Sequence, residues 1–123
     1  MLSLQFTGDR ADVVVDGMVV GDVGWHVVHH GPPPDSAAYN IGIDLAPTHR
    51  GHGYGTEAQR RLAEHLFAHS DVNRVEASTD VTNVAEQRAL EKAGFTREGV
   101  LRGAQWRDGA WHDLVLYARL RTD

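Results

Sequence analysis

The chain has 123 residues, no cysteine and a formal net charge of −5, with 41% hydrophobic and 24% charged residues. That mix suits one globular domain over residues 1–123, and it excludes disulfides, cysteine nucleophiles and thiolate metal sites. Arginines scattered among acids argue against nucleic acid as a direct partner, and no apolar run is long enough for a membrane span or follows a charged leader, so a soluble cytoplasmic protein is expected.

Val13–Val20 holds Asp16-Gly17 between β-branched runs, a two-residue hairpin signal, because the turn needs positive φ values. The second strand continues through Gly21–Val28, and Gly31-Pro32-Pro33-Pro34-Asp35 ends it in a loop. Tyr39–Leu45 alternates as a third strand, with Tyr39, Ile41, Ile43 and Leu45 on one face and Asn40, Gly42 and Asp44 on the other. A glycine-rich segment, Arg50-Gly51-His52-Gly53-Tyr54-Gly55, leads into a helix from Thr56 to about His69, whose apolar stripe is Ala58, Leu62, Ala63, Leu66 and Phe67. Asn73–Asp80 is another strand. A second helix starts at Asn83, where Asn83 and Glu86 form a capping box. Its buried stripe is Ala85, Ala89, Leu90 and Ala93, and Gly94 stops it. Strands near Thr96–Arg102 and Trp111–Leu120 flank a second hairpin turn at Asp108-Gly109. The expected fold is α/β: a mixed sheet with helices packed against it.

The junction at 45–57 carries the chemistry. Its glycines allow close backbone approach, and the following helix offers unpaired amides and the positive end of its dipole, a site for a diphosphate. Arg50, with His49 or His52, adds charge, and Thr56 adds a hydroxyl. A P-loop would need Lys-Ser or Lys-Thr where Gly55-Thr56-Glu57 stands, and a dinucleotide fingerprint spaces its glycines differently. The competing reading is a tight strand-to-helix turn with no ligand.

Arg50–Gly55 fits at every fixed position the pattern Arg/Gln-x-x-Gly-x-Gly/Ala, which GCN5-related N-acyltransferases (GNAT) use for the CoA pyrophosphate. Asn83–Phe95 is similar to a downstream block of that family. Arg97-Glu98-Gly99 with Gly109, Asp113 and Tyr117 resembles the branch that acetylates ribosomal-protein N-termini and some antibiotics. The resemblance covers roughly residues 13–120. It implies a mostly antiparallel sheet with a splayed central strand pair, and acetyl-CoA as cosubstrate with its pantetheine arm in the gap. Backbone groups around Asp44, Leu45 and Ala46 would contact the arm, together with Asn83, which is equally placed to be an N-cap. The pyrophosphate would rest on Arg50, Gly51, His52, Gly53, Tyr54, Gly55 and Thr56. The implied reaction is direct attack of an amine acceptor on the thioester, helped by a base and an acid.

The chain departs from that pattern at two positions. Leu90 replaces the tyrosine often used as acid, and Glu86 replaces the serine of the ribosomal-protein branch. Glu86 is placed to act as a base, although the capping role is preferred. Glu76 is selected as base from the polar residues Asn40, Asp44, Glu76, Ser78 and His26, although an alternating strand always puts polar residues on one face and a solvated role is preferred for each; Asn83 is the other catalytic candidate, and the acid is unassigned. No metal site is expected, since His65 and His69 lack a third ligand. Trp106 and Trp111 should pack at a hairpin tip. Family members usually begin with a strand and one or two helices that wall the acceptor pocket, but Met1–Asp12 has room for part of a strand and no helix pair. An open acceptor side suggests a homodimer, or a non-catalytic CoA-binding or assembly module. A nucleotide-phosphate binder unrelated to acyl transfer is a third reading.

Overall fold

The computed structural model describes all residues from Met1 to Asp123. In chain order the elements are β1 (Leu2–Thr7), β2 (Arg10–Val15), β3 (Met18–His29), β4 (Ala37–Leu45), α1 (Tyr54–Ala68), β5 (Arg74–Asp80), α2 (Val84–Lys92), β6 (Thr96–Arg107) and β7 (Ala110–Leu120). A single 3₁₀ turn, Pro47–His49, lies between β4 and α1. The seven strands form one sheet in the order β1-β2-β3-β4-β5-β7-β6. Every neighbouring pair is antiparallel except β4 and β5.

Both expected hairpin turns form with left-handed central residues: Asp16 and Gly17 at φ 51° and 81°, Asp108 and Gly109 at 54° and 78°. The front of the chain differs from expectation. Leu2–Thr7 is a complete strand, paired with β2 from Leu2↔Val15 to Thr7↔Arg10 across a Gly8-Asp9 turn. Leu2, Leu4 and Phe6 alternate with Ser3, Gln5 and Thr7, the period-two signal of a strand with one face buried. Where the family resemblance implies helices after the first strand, this chain turns directly into β2.

The helices share one face of the sheet. Ala58, Leu62, Ala63 and Leu66 of α1 and Leu90 of α2 join Val13, Val23, Ile41, Val75, Ala77 and Tyr117 in a single buried cluster. The α1 stripe follows the expected spacing, with Phe67 partly buried at its edge. In α2 the stripe is narrower. Leu90 is its buried residue and Ala93 packs just after its end, while Ala85 is exposed and Ala89 half-buried. Tyr117 reaches under α2 and donates to Glu91 Oε2 at 2.6 Å. Because strand side chains alternate, Asn40, Glu76 and Ser78 point to the opposite face, which carries no helix.

Candidate functional site

The sheet opens between β4 and β5. They pair only at Tyr39↔Val75 and Asn40↔Glu76, whereas β4 stays paired with β3 as far as Leu45 and β5 with β7 as far as Asp80. Beyond Asn40 and Glu76 the two strands diverge, leaving backbone groups on both sides of the gap without strand partners. The Ala46 N–H donates to Val20 O at 3.0 Å. Antiparallel alternation therefore turns Asp44 and Gly42 toward β3 as well, and presents Leu45, Ile43 and Ile41 to the gap. This corrects one expectation: of Asp44, Leu45 and Ala46, only Leu45 offers its backbone to the opening. The Leu45 carbonyl accepts a hydrogen bond from Arg50 Nε at 3.2 Å.

A cleft of about 820 Å³ extends from this gap over the glycine loop. Gly53 caps α1 with φ 80° and ψ 3°, a left-handed conformation in which a side chain would be strained. The first intrahelical bond runs from Glu57 N–H to Gly53 O at 3.2 Å. The amides of Gly51, His52, Gly53, Tyr54, Gly55 and Thr56 meet no acceptor within the chain. Six consecutive free donors at a helix N-terminus are an anion cradle. The acid in the first turn, Glu57, is neutralised by Arg61, whose Nε lies 2.8 Å away, and by Arg60. These guanidiniums hold its carboxyl below the usual range, and the same ion pairs balance the negative charge beside the cradle.

Most of the site residues expected from the sequence come together here. Asp44, Leu45, Arg50, Gly51, Gly53 and Tyr54 line the cleft, with Gly55, Thr56 and Asn83 beside them. The His52 ring lies outside the lining, 5.4 Å from the Tyr54 ring, so its contribution to the cradle is its amide. Asn83 Oδ1 accepts from Glu86 N–H at 3.2 Å, which makes Asn83 the N-cap of α2 and leaves its Nδ2 without a partner. Arg88 and Lys92 also line the cleft, alongside Ala85 and Ala89. Their i, i+4 spacing beside two alanines was a readable sign that this face of α2 borders a polar ligand rather than the core.

Glu76 is drawn away from the cleft. It is 6% exposed, takes a 2.7 Å hydrogen bond from Arg74 Nε and lies 3.0 Å from His30 Nε2. Burial alone would raise its carboxyl, but Arg74 and His30 outweigh burial and hold it below the usual range. An ion-paired carboxylate of depressed basicity, outside the lining, is not placed to be the base selected from the sequence, nor is it solvated as an alternating strand would suggest.

Glu86 behaves differently from the capping expectation. Its carboxylate does not reach back to Asn83. Gln59, itself 1% exposed, donates from Nε2 to Gly55 O at 3.0 Å and to Glu86 Oε1 at 3.1 Å. Burial, opposed only by that bond, pushes the Glu86 carboxyl up to about 7. The buried Gln59 Oε1 has no partner. A second hollow of about 430 Å³ adjoins the cleft and shares Ser78, Thr79 and Asn83 with it. On its far side Asp80 accepts from Thr82 N–H at 2.8 Å, from the Thr82 hydroxyl at 2.7 Å and from Arg107 at 2.5 Å. The Thr82 bonds and then Arg107 hold Asp80 well below the usual carboxylate range.

A sheet splayed at its one parallel pair, with an anion cradle where the next helix begins, defines the architecture of acyl-CoA-type N-acyltransferases. The chain belongs to the acetyltransferase (GNAT) domain family, whose profile matches residues 5–96. It is 27% identical to the uncharacterized N-acetyltransferase p20 of Bacillus licheniformis over 99% of this chain and 67% of that protein. It is 29% identical to the putative ribosomal N-acetyltransferase YdaF of Bacillus subtilis over 97% of this chain and 63% of that protein. The structure of Mycobacterium smegmatis RimJ in complex with CoA-disulfide superposes with a TM-score of 0.80 at 30% identity, over 90% of this chain and 52% of that one. The chain thus spans about half to two thirds of the length of these relatives.

Proposed function

We propose that the chain transfers an acetyl group from acetyl-CoA to a primary amine by direct attack. The observation that carries this reading is the run of six free amides, Gly51 to Thr56, at the mouth of an opened sheet. The amides suit a diphosphate, Arg88 and Lys92 suit a further phosphate, and the unpaired edges of Ile41–Leu45 suit the amide groups of a pantetheine arm. Bound acetyl-CoA supplies an activated acetyl carbon and a thiolate leaving group. Asn83 Nδ2, free of any internal partner, is available to the arm. The acceptor classes in view are a protein N-terminus, a small metabolite or an antibiotic. Relatives named for ribosomal-protein serine acetylation and for kanamycin resistance support the first and third.

Calorimetry with acetyl-CoA, CoA and ATP, followed by thiol release across an amine panel, tests the reading. Micromolar CoA binding with turnover on at least one amine is expected; ATP binding without CoA binding would overturn it. Binding without turnover on any amine would instead favour the second reading, a CoA-binding or assembly module. We further propose that the protein acts in the cytoplasm, where its cosubstrate is made, and as a homodimer. The unpaired edge of β6 and the exposed Trp106 and Trp111 at the β6–β7 tip support a dimer. Light scattering that gave a monomer at micromolar concentration would refute that part.

A further inference from the structure

Acyl transfer from a thioester to an amine needs one proton moved, from the nitrogen that gains the acetyl group to the sulfur that loses it. The cleft offers few groups able to hold a proton near neutral pH. Arg50 and Arg88 are permanent cations, Lys92 lies in the last turn of α2, and Tyr54 opens α1 at the glycine cradle. Asp44 is an exposed strand carboxylate. Glu86 is the exception. It stands in the first turn of α2 and lines the cleft, with Oε1 fixed by Gln59 and Oε2 without a hydrogen-bond partner in the chain.

The elements around it leave its charge uncompensated. Gln59 on α1 and Ser78 and Thr79 on β5 are neutral, and Asp44 on β4 is of like sign. Of the lining cations, neither Arg88 nor Lys92 bonds to it, and Arg50 is turned to the Leu45 carbonyl. Gln59 reaches Glu86 only because the helices are packed together, so the carboxylate is positioned by the fold rather than by its own helix end.

We infer that Glu86 is the proton carrier of the acyl transfer. Resting on the acetyltransferase reading above, the step is balanced as follows. The amine nitrogen forms its bond to the acetyl carbon and gives a proton to Glu86 Oε2. The carbon–sulfur bond breaks with its electron pair on sulfur, and Glu86 returns the proton to the thiolate, ending as it began. Gln59 is a positioning residue that keeps one carboxylate oxygen occupied and leaves the other free. The near-neutral titration of Glu86 suits a group that must both take and release a proton.

The test compares the wild type with Glu86→Gln and Glu86→Asp, using CoA, acetyl-CoA and the best acceptor from an amine panel. CoA affinity by calorimetry should stay within about threefold in Glu86→Gln, since the amide keeps the shape and the Gln59 contact. Carboxyl carbon NMR should show one resonance titrating near neutral pH that is absent from Glu86→Gln and moves when CoA is added. The acetylation rate should fall by roughly 10²-fold or more in Glu86→Gln, with loss of the acid-side inflection, while Glu86→Asp retains that inflection. Unchanged kcat and pH profile in Glu86→Gln, or a Glu86 resonance indifferent to CoA, overturns the inference and leaves the acetyltransferase reading intact. Wild-type protein that binds no CoA, or turns over no amine, removes both.

Discussion

Gly21 and Gly55 both stand against the end of β4, yet a methyl group at each meets a different surface. At Gly21 a Cβ would lie 2.2 Å from the Asp44 carbonyl oxygen and 2.9 Å from Leu45 Cα, both backbone atoms that cannot swing aside. Gly21→Ala is therefore expected to destabilise the fold by about 1–3 kcal/mol and to disturb the cleft edge that Asp44 and Leu45 form. At Gly55, which is helical, the Cβ would sit 3.7 Å from Leu45 Cδ1, an ordinary contact. Gly55→Ala should be neutral or stabilising by up to about 1 kcal/mol. Urea midpoints of the two variants check the contrast; equal shifts would mean that the β3–β4 approach is looser than described. Both glycines were visible in the sequence, but the reason for each was not. A close approach depends on which strand lies alongside, and that is set by pairing across 23 to 24 residues, Gly21 to Leu45.

Helix α2 separates what periodicity can and cannot reveal. Its start at Asn83, its end before Gly94 and its buried Leu90 were legible, because capping and burial act over one or two turns. Asn83→Ala should cost about 1 kcal/mol by thermal or urea unfolding through loss of the 3.2 Å cap to Glu86 N–H. It should also weaken CoA binding if the free Nδ2 meets the arm; unfolding shifted with CoA affinity untouched would confine Asn83 to capping. The alanines at 85 and 89 misled, since small apolar residues suit both a packed core and a surface that admits a ligand. Glu86 misled for a related reason. Asn-x-x-Glu has the spacing of a capping box, but a buried Gln59 on another helix competes for the carboxylate and wins. Nothing local to residues 83–86 announces that competitor.

At the scale of the whole molecule, three carboxyls give stability two opposing pH slopes. Glu76 and Asp80 titrate lower in the folded protein than in the unfolded chain, from ordinary values of 4.5 and 3.8. The native state then binds fewer protons, so their contribution is present above about pH 4.5 and is lost as pH falls. Glu86 is raised from 4.5 to about 7, so the native state binds more protons there. Its contribution is full below pH 4.5 and is lost as pH rises toward 7. Glu86→Gln, neutral throughout, should gain stability over the wild type at pH 8 and little at pH 5. Urea midpoints at both pH values test this, and an equal effect at both would mean that Glu86 is well solvated.

From its own residues the sequence determined both hairpin turns, the α1 stripe, the glycine cradle and the family, because each rests on contacts within a few residues or on a contiguous pattern. It also held a signal for β1 in the alternation of Leu2, Leu4 and Phe6. Only the tertiary structure decided which carboxylate faces the cleft. Glu76 sits on the helix-free side of the sheet and is claimed by Arg74 and His30, while Glu86 is held at the cleft by Gln59, 27 residues away in the chain. The basicity of a carboxyl depends on the charges and the burial around it, and those neighbours come from strands and helices that the chain order alone does not bring together.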